Sequence, residues 1–349
     1  MHKLAYKSML LIAPIMVLIA CANYFIDPAH QFSDEYYLKA AKLLKHDNII
    51  LEGNCDERKL IKYFVKQKDK VDVIVLGSSR SLILGEEHVN NSSMLNLSTS
   101  GSDFEDIIAT YELYESTLGF PEKVVIGIDP WMLNISRKSD RYLGLLENYN
   151  AIAKKLDLPE NQIISSEKSF FKALFSLDYF QTSLIHAYRN GIGNSIVIKT
   201  NETISEQNIK MSNGTLLYAK NWQSEKSKIE IAAKRYISGE VYGFNDYSEV
   251  SSARLVKFEL FFKYLKRNNI AIEVFLSPYH PIVWEYFESN TAKFQPVFES
   301  EKQIIILCQK YSIQITGSFS PKNLNLLSTD FYDGMHPNLI GLKKIFCCR

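Results

Sequence analysis

Short, nearly continuous apolar segments alternate with amphipathic segments over two parts of the chain, residues 34–136 and 252–346. The segments Val71–Leu76 and Lys123–Ile128 are rich in β-branched residues. This composition is typical of strands that are buried on both faces of a parallel sheet. A strand, a helix and a second strand in that order indicate a right-handed parallel crossover. The chain is therefore predicted to be an α/β protein with a mainly parallel central sheet.

The same pattern predicts the remaining elements. Helices are expected over residues 34–45, 56–67, 102–117, 252–267, 300–311 and 339–346, and further strands over 94–97, 270–276 and 313–315. A turn, Gly77-Ser78-Ser79-Arg80, ends the first strand. Ligands of open α/β sheets bind at the edge where such turns lie, so a ligand site is expected there. The alternative is an ordinary loop in which one of the serines caps the next helix.

The stretch from Arg137 to about Glu249 does not alternate regularly between strands and helices. Helical segments are expected over residues 149–156 and 167–177, and the rest is polar and irregular. We interpret residues 137–250 as an insertion or cap over the sheet edge. Trp222 and several tyrosines in it could line a substrate groove or form the insertion's own small core.

The N-terminal segment is apolar. Met9–Ala22 carries no charge, and Lys3 and Lys7 precede it. This length and this positive flank predict a single membrane-spanning anchor over residues 1–27, with the N-terminus in the cytoplasm and residues 28–349 outside.

Two other interpretations of this segment remain open. Ala20-Cys21-Ala22 could be the small-residue cleavage site of a signal peptide. Leu18-Ile19-Ala20-Cys21 also resembles a bacterial lipobox, which would make Cys21 a lipid-bearing N-terminus. All three interpretations place the body of the protein outside the cytoplasm.

Charge and cysteine content narrow the function classes. The 349 residues contain 40 Lys and Arg against 39 Asp and Glu, a formal charge of +1, and match no nucleic-acid motif. The five cysteines fit neither a disulfide framework nor metal-ligand spacing, so no metal and no cofactor are expected. Cys308 follows the apolar run Ile304–Leu307 and is predicted to lie in the core.

A second group of chemically active residues lies near the C-terminus, in the sequence Phe331-Tyr332-Asp333-Gly334-Met335-His336-Pro337-Asn338. Asp333 and His336 are three residues apart, which in a turn brings both side chains to one side. A carboxylate beside an imidazole fixes its tautomer and stabilises its positive charge. The alternative is that these residues only form a turn and a helix cap.

Taken together, the blocks GSSRS, NLSTSGSD, IGIDPW and DGMHP resemble those of the SGNH (GDSL-like) hydrolase superfamily. The likeness is to its membrane-anchored bacterial branch, which includes teichoic-acid D-alanyl transfer and alginate O-acetylation proteins. It covers about residues 20–136 and 252–346 and implies a three-layer α/β/α, flavodoxin-like domain over residues 28–349.

The resemblance implies roles for individual residues. Gly77-Ser78-Ser79 matches the family's Gly-Asp-Ser, which makes Ser79 the nucleophile. Asp333 and His336 match the final Asp-x-x-His, with His336 as the base. Gly101, in the second block, would give its backbone N–H to an oxyanion hole.

The third block departs from the family. Its Gly-x-Asn falls on Gly127-Ile128-Asp129, and an ionised Asp129 would repel an oxyanion. Either Asp129 is structural, or another donor such as Asn134 takes the place of the missing amide. Arg80 is expected to bind an anionic substrate or to form a salt bridge at the sheet edge. The residues Tyr279 and His280, after another strand, are further candidates for the pocket.

The implied function is an extracytoplasmic, membrane-anchored serine O-acyltransferase or esterase that acts on a cell-surface glycan or acyl donor. A multi-spanning acyltransferase is a possible partner. The alternatives are an inactive SGNH-fold binding or scaffold subunit of an acylation system, which the Asp129 departure favours, and a tethered binding protein whose insertion is the working part.

Overall fold

Five parallel strands form the central sheet of the protein. We describe the protein from a computed structural model that covers residues 2–51, 55–161, 166–191, 197–222 and 225–347. Side chains are described from residue 12 onward, except at 166–169, 190 and 221. The strands in this sheet are β2 (Val73–Leu76), β3 (Met94–Asn96), β4 (Lys123–Gly127), β8 (Ala271–Leu276) and β9 (Gln314–Gly317). All their pairings are parallel. Every residue of β2 is buried, so both faces of the sheet are covered, as the sequence predicts.

The strand order is β3-β2-β4-β8-β9. The chain leaves β2 toward β3 on one side and returns to β4 on the other. In such sheets a crevice opens at the carboxyl ends of the two strands where the direction reverses, and ligands bind there. The turn after β2 and the segment after β4 meet at this point.

Helices cover the sheet and extend from it. They are α1 (His2–Ile26), α2 (Glu35–Leu44), α3 (Glu57–Phe64), α4 (Phe104–Leu118), α5 (Leu146–Lys155), α6 (Ser166–Leu174), α7 (Leu177–Asn190), α8 (Lys226–Ile237), α9 (Ser252–Arg267), α10 (Pro281–Ser289), α11 (Thr291–Lys310) and α12 (Leu339–Cys347). Helices α4 and α9 contact the sheet through β2 and β8, and α11 and α12 contact β9. The predicted helix over 252–267 is confirmed to the residue.

Two predicted helices differ from those in the structure, and a third helix was not predicted. The helix expected from residue 300 begins at Thr291, because Pro296 lies within its first turns and does not end it. The segment expected as one helix over 167–177 is two helices, α6 and α7, since Ser176 caps the second one. Helix α10 was not predicted; it begins at Pro281, a residue that suits a first helical turn.

The insertion contributes a second, antiparallel sheet. Its strands β5 (Lys199–Thr200), β6 (Ile209–Lys210) and β7 (Leu216–Leu217) join β1 (Asn48–Ile50) in the order β5-β1-β6-β7. Because β1 precedes the central sheet in sequence, the insertion is tied to the N-terminal part of the domain. One apolar core runs through both parts and includes Cys308, as the sequence predicts, while Cys348 lies outside the described residues.

Helix α1 contains the apolar N-terminal segment. Across the described ranges, the structure holds no helix with the length and apolar character needed to cross a membrane. The membrane-spanning anchor over residues 1–27 therefore has no support from the structure and stays a prediction.

Candidate active site

The turn after β2 positions Ser79 at the carboxyl edge of the sheet. Ser81 N–H donates to the Ser78 carbonyl (3.0 Å) and Leu82 N–H to the Ser79 carbonyl (3.3 Å), so the chain turns here and does not enter a helix. The Ser81 side chain fills the space between Gly77 and the neighbouring strand. A Cβ atom on Gly77 would lie 2.6 Å from Ser81 Oγ, so glycine is needed for this close approach.

A short hairpin presents Asp333 and His336 to the same edge. Tyr332 N–H donates to the His336 carbonyl (2.8 Å), which closes the hairpin. Asp333 Oδ1 accepts the backbone N–H groups of Met335 (2.8 Å) and His336 (2.9 Å). The carboxylate is thereby fixed in the turn before it meets the imidazole.

The structure brings the three predicted catalytic residues together. Ser79 Oγ lies 2.9 Å from His336 Nε2. His336 Nδ1 lies 2.9 Å from Asp333 Oδ2 and 3.1 Å from Oδ1. The side chains of His336 and Asp333 are only 11% and 24% exposed. This is the geometry of a nucleophile, a base and an orienting carboxylate.

The Asp333 carboxyl is held in its ionised form. Burial raises its pKa, but the positive charge of His336 and the hydrogen bonds from His336 and Met335 outweigh burial and lower the pKa to about 2. A carboxylate that is ionised at neutral pH stabilises the imidazolium that forms when His336 accepts a proton.

The backbone N–H groups of Ser79 and Gly101 are the two candidate donors to an oxyanion. Neither Ser79 N–H nor Gly101 N–H has a hydrogen-bond partner within the described segments. Gly101 has a φ of +62°, a backbone conformation that favours glycine. Thr99 N–H donates to the Gly77 carbonyl (3.0 Å), which joins the first and second blocks.

Arg80 does not face a substrate. Its side chain is 1% exposed. Nε donates to the Met335 carbonyl (3.0 Å), and Nη2 donates to the carbonyls of Ser277 and Pro278. The guanidinium lies 4.1 Å from the centre of the Tyr279 ring. Of the two predicted roles, the structure therefore supports the salt bridge, because no N–H points outward.

Asp129 is the partner in that salt bridge. Its Oδ1 accepts from Arg80 Nη1 at 2.9 Å, and the Ser78 side chain also hydrogen-bonds to it. Burial raises the pKa of Asp129 against the attraction of Arg80 and the hydrogen bond from Ser78. Ser78, in the turn after β2, and Asp129, in the segment after β4, are therefore joined at this edge of the sheet.

Three further candidates have structural roles, which corrects their predicted placement in the pocket or the oxyanion hole. Asn134 donates both amide hydrogens to the carbonyls of Gly243 (3.2 Å) and Asn245 (3.3 Å), so it has none left for an oxyanion. Tyr279 is fully buried beneath Arg80. His280 is also fully buried and caps α10, and burial lowers its pKa to about 4.

The insertion contributes two aromatic residues whose role the sequence left open. Tyr218 OH donates to the Ser79 carbonyl (3.1 Å). Its ring stacks on Trp222 at 5.0 Å, and the two rings lie 5.8 and 6.1 Å from the His336 imidazole. The sequence offered no spacing signal for them, because they lie more than 100 residues from either catalytic block.

Two cavities adjoin this aromatic pair. One, of about 700 Å³, is lined mainly by apolar side chains, among them Ile83, Met211, Leu217, Ile229 and Leu339. The other, of about 390 Å³, is lined by Lys228, Arg235, Tyr236 and Asp333 among others. Trp222 and Tyr332 line both cavities and so form the wall between them.

Comparison with known proteins adds no family to this site: neither a protein-family description nor a curated protein matches the chain. In the described part of the chain, no cluster of three or more His, Cys, Asp or Glu side chains could hold a metal ion. The chemistry of the site therefore has to be argued from its own geometry.

Proposed function

We propose that this protein is a serine acyl-transfer enzyme, an O-acyltransferase or esterase, with the three-layer α/β/α fold of the SGNH class. The observation that carries the proposal is the contact between Ser79 Oγ and His336 Nε2, 2.9 Å, continued to Asp333 at 2.9 Å. Ser79 and His336 are 257 residues apart in the sequence. A role in a turn or a helix cap would not require their side chains to meet.

The reaction follows from these contacts. Ser79 Oγ attacks the carbonyl carbon of an ester as His336 Nε2 takes its proton, and a tetrahedral oxyanion forms. The oxyanion collapses, the leaving oxygen takes the proton from His336, and the acyl group stays on Ser79. Water or a sugar hydroxyl then attacks the acyl-serine as His336 takes its proton, and His336 returns that proton to Ser79 Oγ as the acyl–serine bond breaks.

The oxyanion would be held by Ser79 N–H and Gly101 N–H, each worth about 3 kcal/mol of barrier height. Asp129 does not prevent this, because Arg80 compensates its charge at 2.9 Å. The two cavities suggest where the substrate lies. The larger, apolar cavity suits the acyl group, whereas Trp222, Lys228 and Arg235 suit a sugar ring and its hydroxyl groups.

A second candidate function is an inactive binding or scaffold subunit of a surface acylation system. The presence of Asp129 in place of an amide donor favours it, since the oxyanion hole then has only backbone donors. In either case we propose a cell-surface glycan or acyl donor as ligand and a multi-spanning acyltransferase as a possible partner.

We also propose that the catalytic domain lies outside the cytoplasm and is attached to the cell membrane through residues 1–27. The support is the uncharged segment Met9–Ala22 behind Lys3 and Lys7. A reporter enzyme that is active only outside the cytoplasm, fused after Arg349, should be active. An inactive reporter on an intact fusion would contradict this location.

Reaction with a fluorophosphonate probe distinguishes an active serine enzyme from an inactive scaffold subunit. The wild type should be labelled, and Ser79→Ala should not be. Ser98→Ala is the matched control, because the Ser98 hydroxyl is buried and has no hydrogen-bond partner within the described ranges. Glycan binding by an unlabelled wild type would favour the scaffold, and labelling that is lost only in Ser78→Ala would identify a different nucleophile.

A further inference from the structure

Helices α1, α6 and α7 form a group of their own beside the central sheet. Helix α1 contacts α6 and α7. From residue 12 to residue 26, only two side chains of α1 are buried, Ile19 and Asn23. Large apolar side chains are exposed around most of the helix: Ile12, Ile15, Val17, Leu18 and Phe25. A helix that is apolar on every side is typical of a buried or lipid-exposed environment.

The interior of this group is polar. Asn23 Nδ2 donates to the carbonyls of Ala173 (3.2 Å), Leu174 (3.0 Å) and Ser176 (3.0 Å) at the end of α6. Ser183 Oγ, on α7, donates to Asn23 Oδ1 at 3.3 Å. Both side chains are fully buried. Hydrogen bonds of this kind between otherwise apolar helices join helices that are surrounded by lipid.

A second polar contact fixes the end of α1. Tyr179 OH, on α7, donates to Asp27 Oδ1 at 2.7 Å. The same carboxylate accepts the backbone N–H groups of Gln31, Phe32 and Ser33. The helix pair α6–α7, which belongs to the insertion, is therefore attached to α1 at two places.

The exposed surface of α7 is divided into stripes. Successive residues of a helix are rotated by about 100°, so Leu177, Leu184 and Tyr188 lie on one stripe. All three are exposed, and Tyr188 is 92% exposed. Asp178 and Thr182 are exposed on a second, polar stripe. One apolar stripe and one polar stripe, both exposed, characterise a helix that lies at a lipid–water interface.

Helix α6 extends the apolar surface with aromatic side chains. Phe170, Phe171 and Phe175 are exposed, and the Phe170 ring packs edge-on against Phe32 at 5.1 Å. Tyr24, on α1, is exposed as well, and so is Lys172, which follows Phe171 in the sequence. Aromatic rings beside lysine are typical of residues at the headgroup level of a bilayer.

This arrangement is the reverse of the central domain, where apolar side chains are inside. We propose that α1 and the α6–α7 pair form one lipid-facing unit, and that α6 and α7 lie in the surface of a phospholipid bilayer. A bilayer accounts for these features together, because the apolar surface continues the N-terminal segment and its aromatic residues accompany a lysine. The insertion would thus hold the catalytic edge at a fixed orientation to the membrane.

The full chain can be tested in vesicles of phosphatidylethanolamine and phosphatidylglycerol that contain a phosphatidylcholine with a diazirine on its acyl chain. After illumination, mass spectrometry of the peptides should find lipid attached within residues 12–25 and within residues 170–188. Lipid on residues 12–25 alone would overturn the proposal but leave a simple N-terminal anchor. A bifunctional protein crosslinker that joins residues 170–188 to a second copy of the chain, with no lipid attached there, would also overturn it.

A matched pair of double variants sharpens the test. Leu177→Glu with Leu184→Glu places two carboxylates on the apolar stripe of α7, and lipid attachment to residues 170–188 should fall about tenfold. Ile231→Glu with Val256→Glu adds the same charge at exposed positions on α8 and α9 and should leave it unchanged. Thermal unfolding of both variants shows whether they are folded. Equal lipid attachment in the two folded variants would contradict the proposal.

The polar interior can be tested separately. Asn23→Ala removes three hydrogen bonds between α1 and the end of α6, so lipid attachment to residues 170–188 should fall while attachment to residues 12–25 persists. Ser183→Ala removes only one, longer bond and should have a smaller effect. If Asn23→Ala changes neither region, the three helices do not act as one unit. None of these results depends on acyl transfer, so the enzyme proposal is tested independently.

Discussion

Two carboxylates at the same edge of the sheet, Asp333 and Asp129, each pair with a basic side chain, yet their environments differ. Asp333 is a quarter exposed, and its pKa is lowered to about 2 beside His336. Asp129 is buried beside Arg80, and burial raises its pKa. The first pair faces the nucleophile and can exchange a proton with it. The second is enclosed by backbone carbonyls and stacked on Tyr279. We infer that the first pair serves catalysis and the second holds the loops together.

The largest expected effect concerns the base. His336→Ala should lower kcat by about 10⁶-fold, because Ser79 then keeps its proton. Since the two residues act as a unit, the double variant with Ser79→Ala should be no worse than either single variant. Hydrolysis of a short-chain aryl ester measures this. Losses that add in the double variant would show that the two residues act independently.

Asp333→Asn should have the next largest effect on activity and only a small effect on stability. It keeps the shape of the side chain but loses the charge that supports the imidazolium, so kcat should fall about 10⁴-fold. The free energy of unfolding near pH 7 should fall by about 2 kcal/mol, because the ionised carboxylate stabilises the folded chain. Urea unfolding alongside the ester assay checks both values. A large loss of stability with little loss of activity would assign to Asp333 the role we give to Asp129.

Asp129→Leu should show the opposite balance. Leucine removes both the charge and the hydrogen-bond acceptor that face the buried Arg80 guanidinium, and the free energy of unfolding should fall by about 3–5 kcal/mol. Arg80→Met combined with Asp129→Leu removes both charges and should recover part of this loss. Urea unfolding of the three proteins measures it. If the double variant is no more stable than Asp129→Leu, the pair does not act through charge compensation.

The sequence predicted the sheet and the residues that meet at the candidate site for a physical reason. Buried parallel strands are continuous apolar runs, and the turn after such a strand carries its polar side chains in a few adjacent residues, as at Ser79. Asp333 and His336 are likewise close in sequence because they lie in one short hairpin. The pairing of Arg80 with Asp129 could not be predicted, because it joins two loops that only the strand order brings together. Asn134 and His280 were wrongly expected at the site. Asn134 donates to carbonyls of a distant loop, at Gly243 and Asn245, and His280 accepts the N–H of Ile282 in its own loop.

The insertion was predicted least well. Its strands have two residues each, too short to give an alternating pattern, and one of their partners, β1, lies about 150 residues earlier. The exposed apolar side chains of α6 and α7 also mislead a prediction based on burial, since they look like core positions in the sequence. The aromatic pair Tyr218 and Trp222 could be singled out only by composition.

The pH dependence of stability follows from the same comparison. The pKa of Asp333 is lower in the folded chain than its ordinary value of 3.8, so its contribution is present above about pH 4 and is lost as the pH falls through about 2. Burial raises the pKa of Asp129, so protonation of Asp129 at low pH stabilises the folded chain, whereas protonation of Asp333 destabilises it. Between pH 4 and 2 the wild type should therefore lose about 2 kcal/mol more than Asp333→Asn. Equal losses in urea unfolding at these pH values would contradict the assignment.

The smallest expected effect comes from the insertion's contact with the site. Tyr218→Phe removes the hydrogen bond from the phenol to the Ser79 carbonyl and keeps the ring that stacks on Trp222. A bond of this kind is worth about 1 kcal/mol, so kcat/KM should fall about fivefold, while fluorophosphonate labelling persists. Tyr149→Phe is the matched control, because that phenol donates to the Pro159 carbonyl away from the triad. If Tyr218→Phe and Tyr149→Phe have the same kcat/KM as the wild type, the Tyr218 bond does not position Ser79. The insertion would then contribute to the site only through the walls of its cavities.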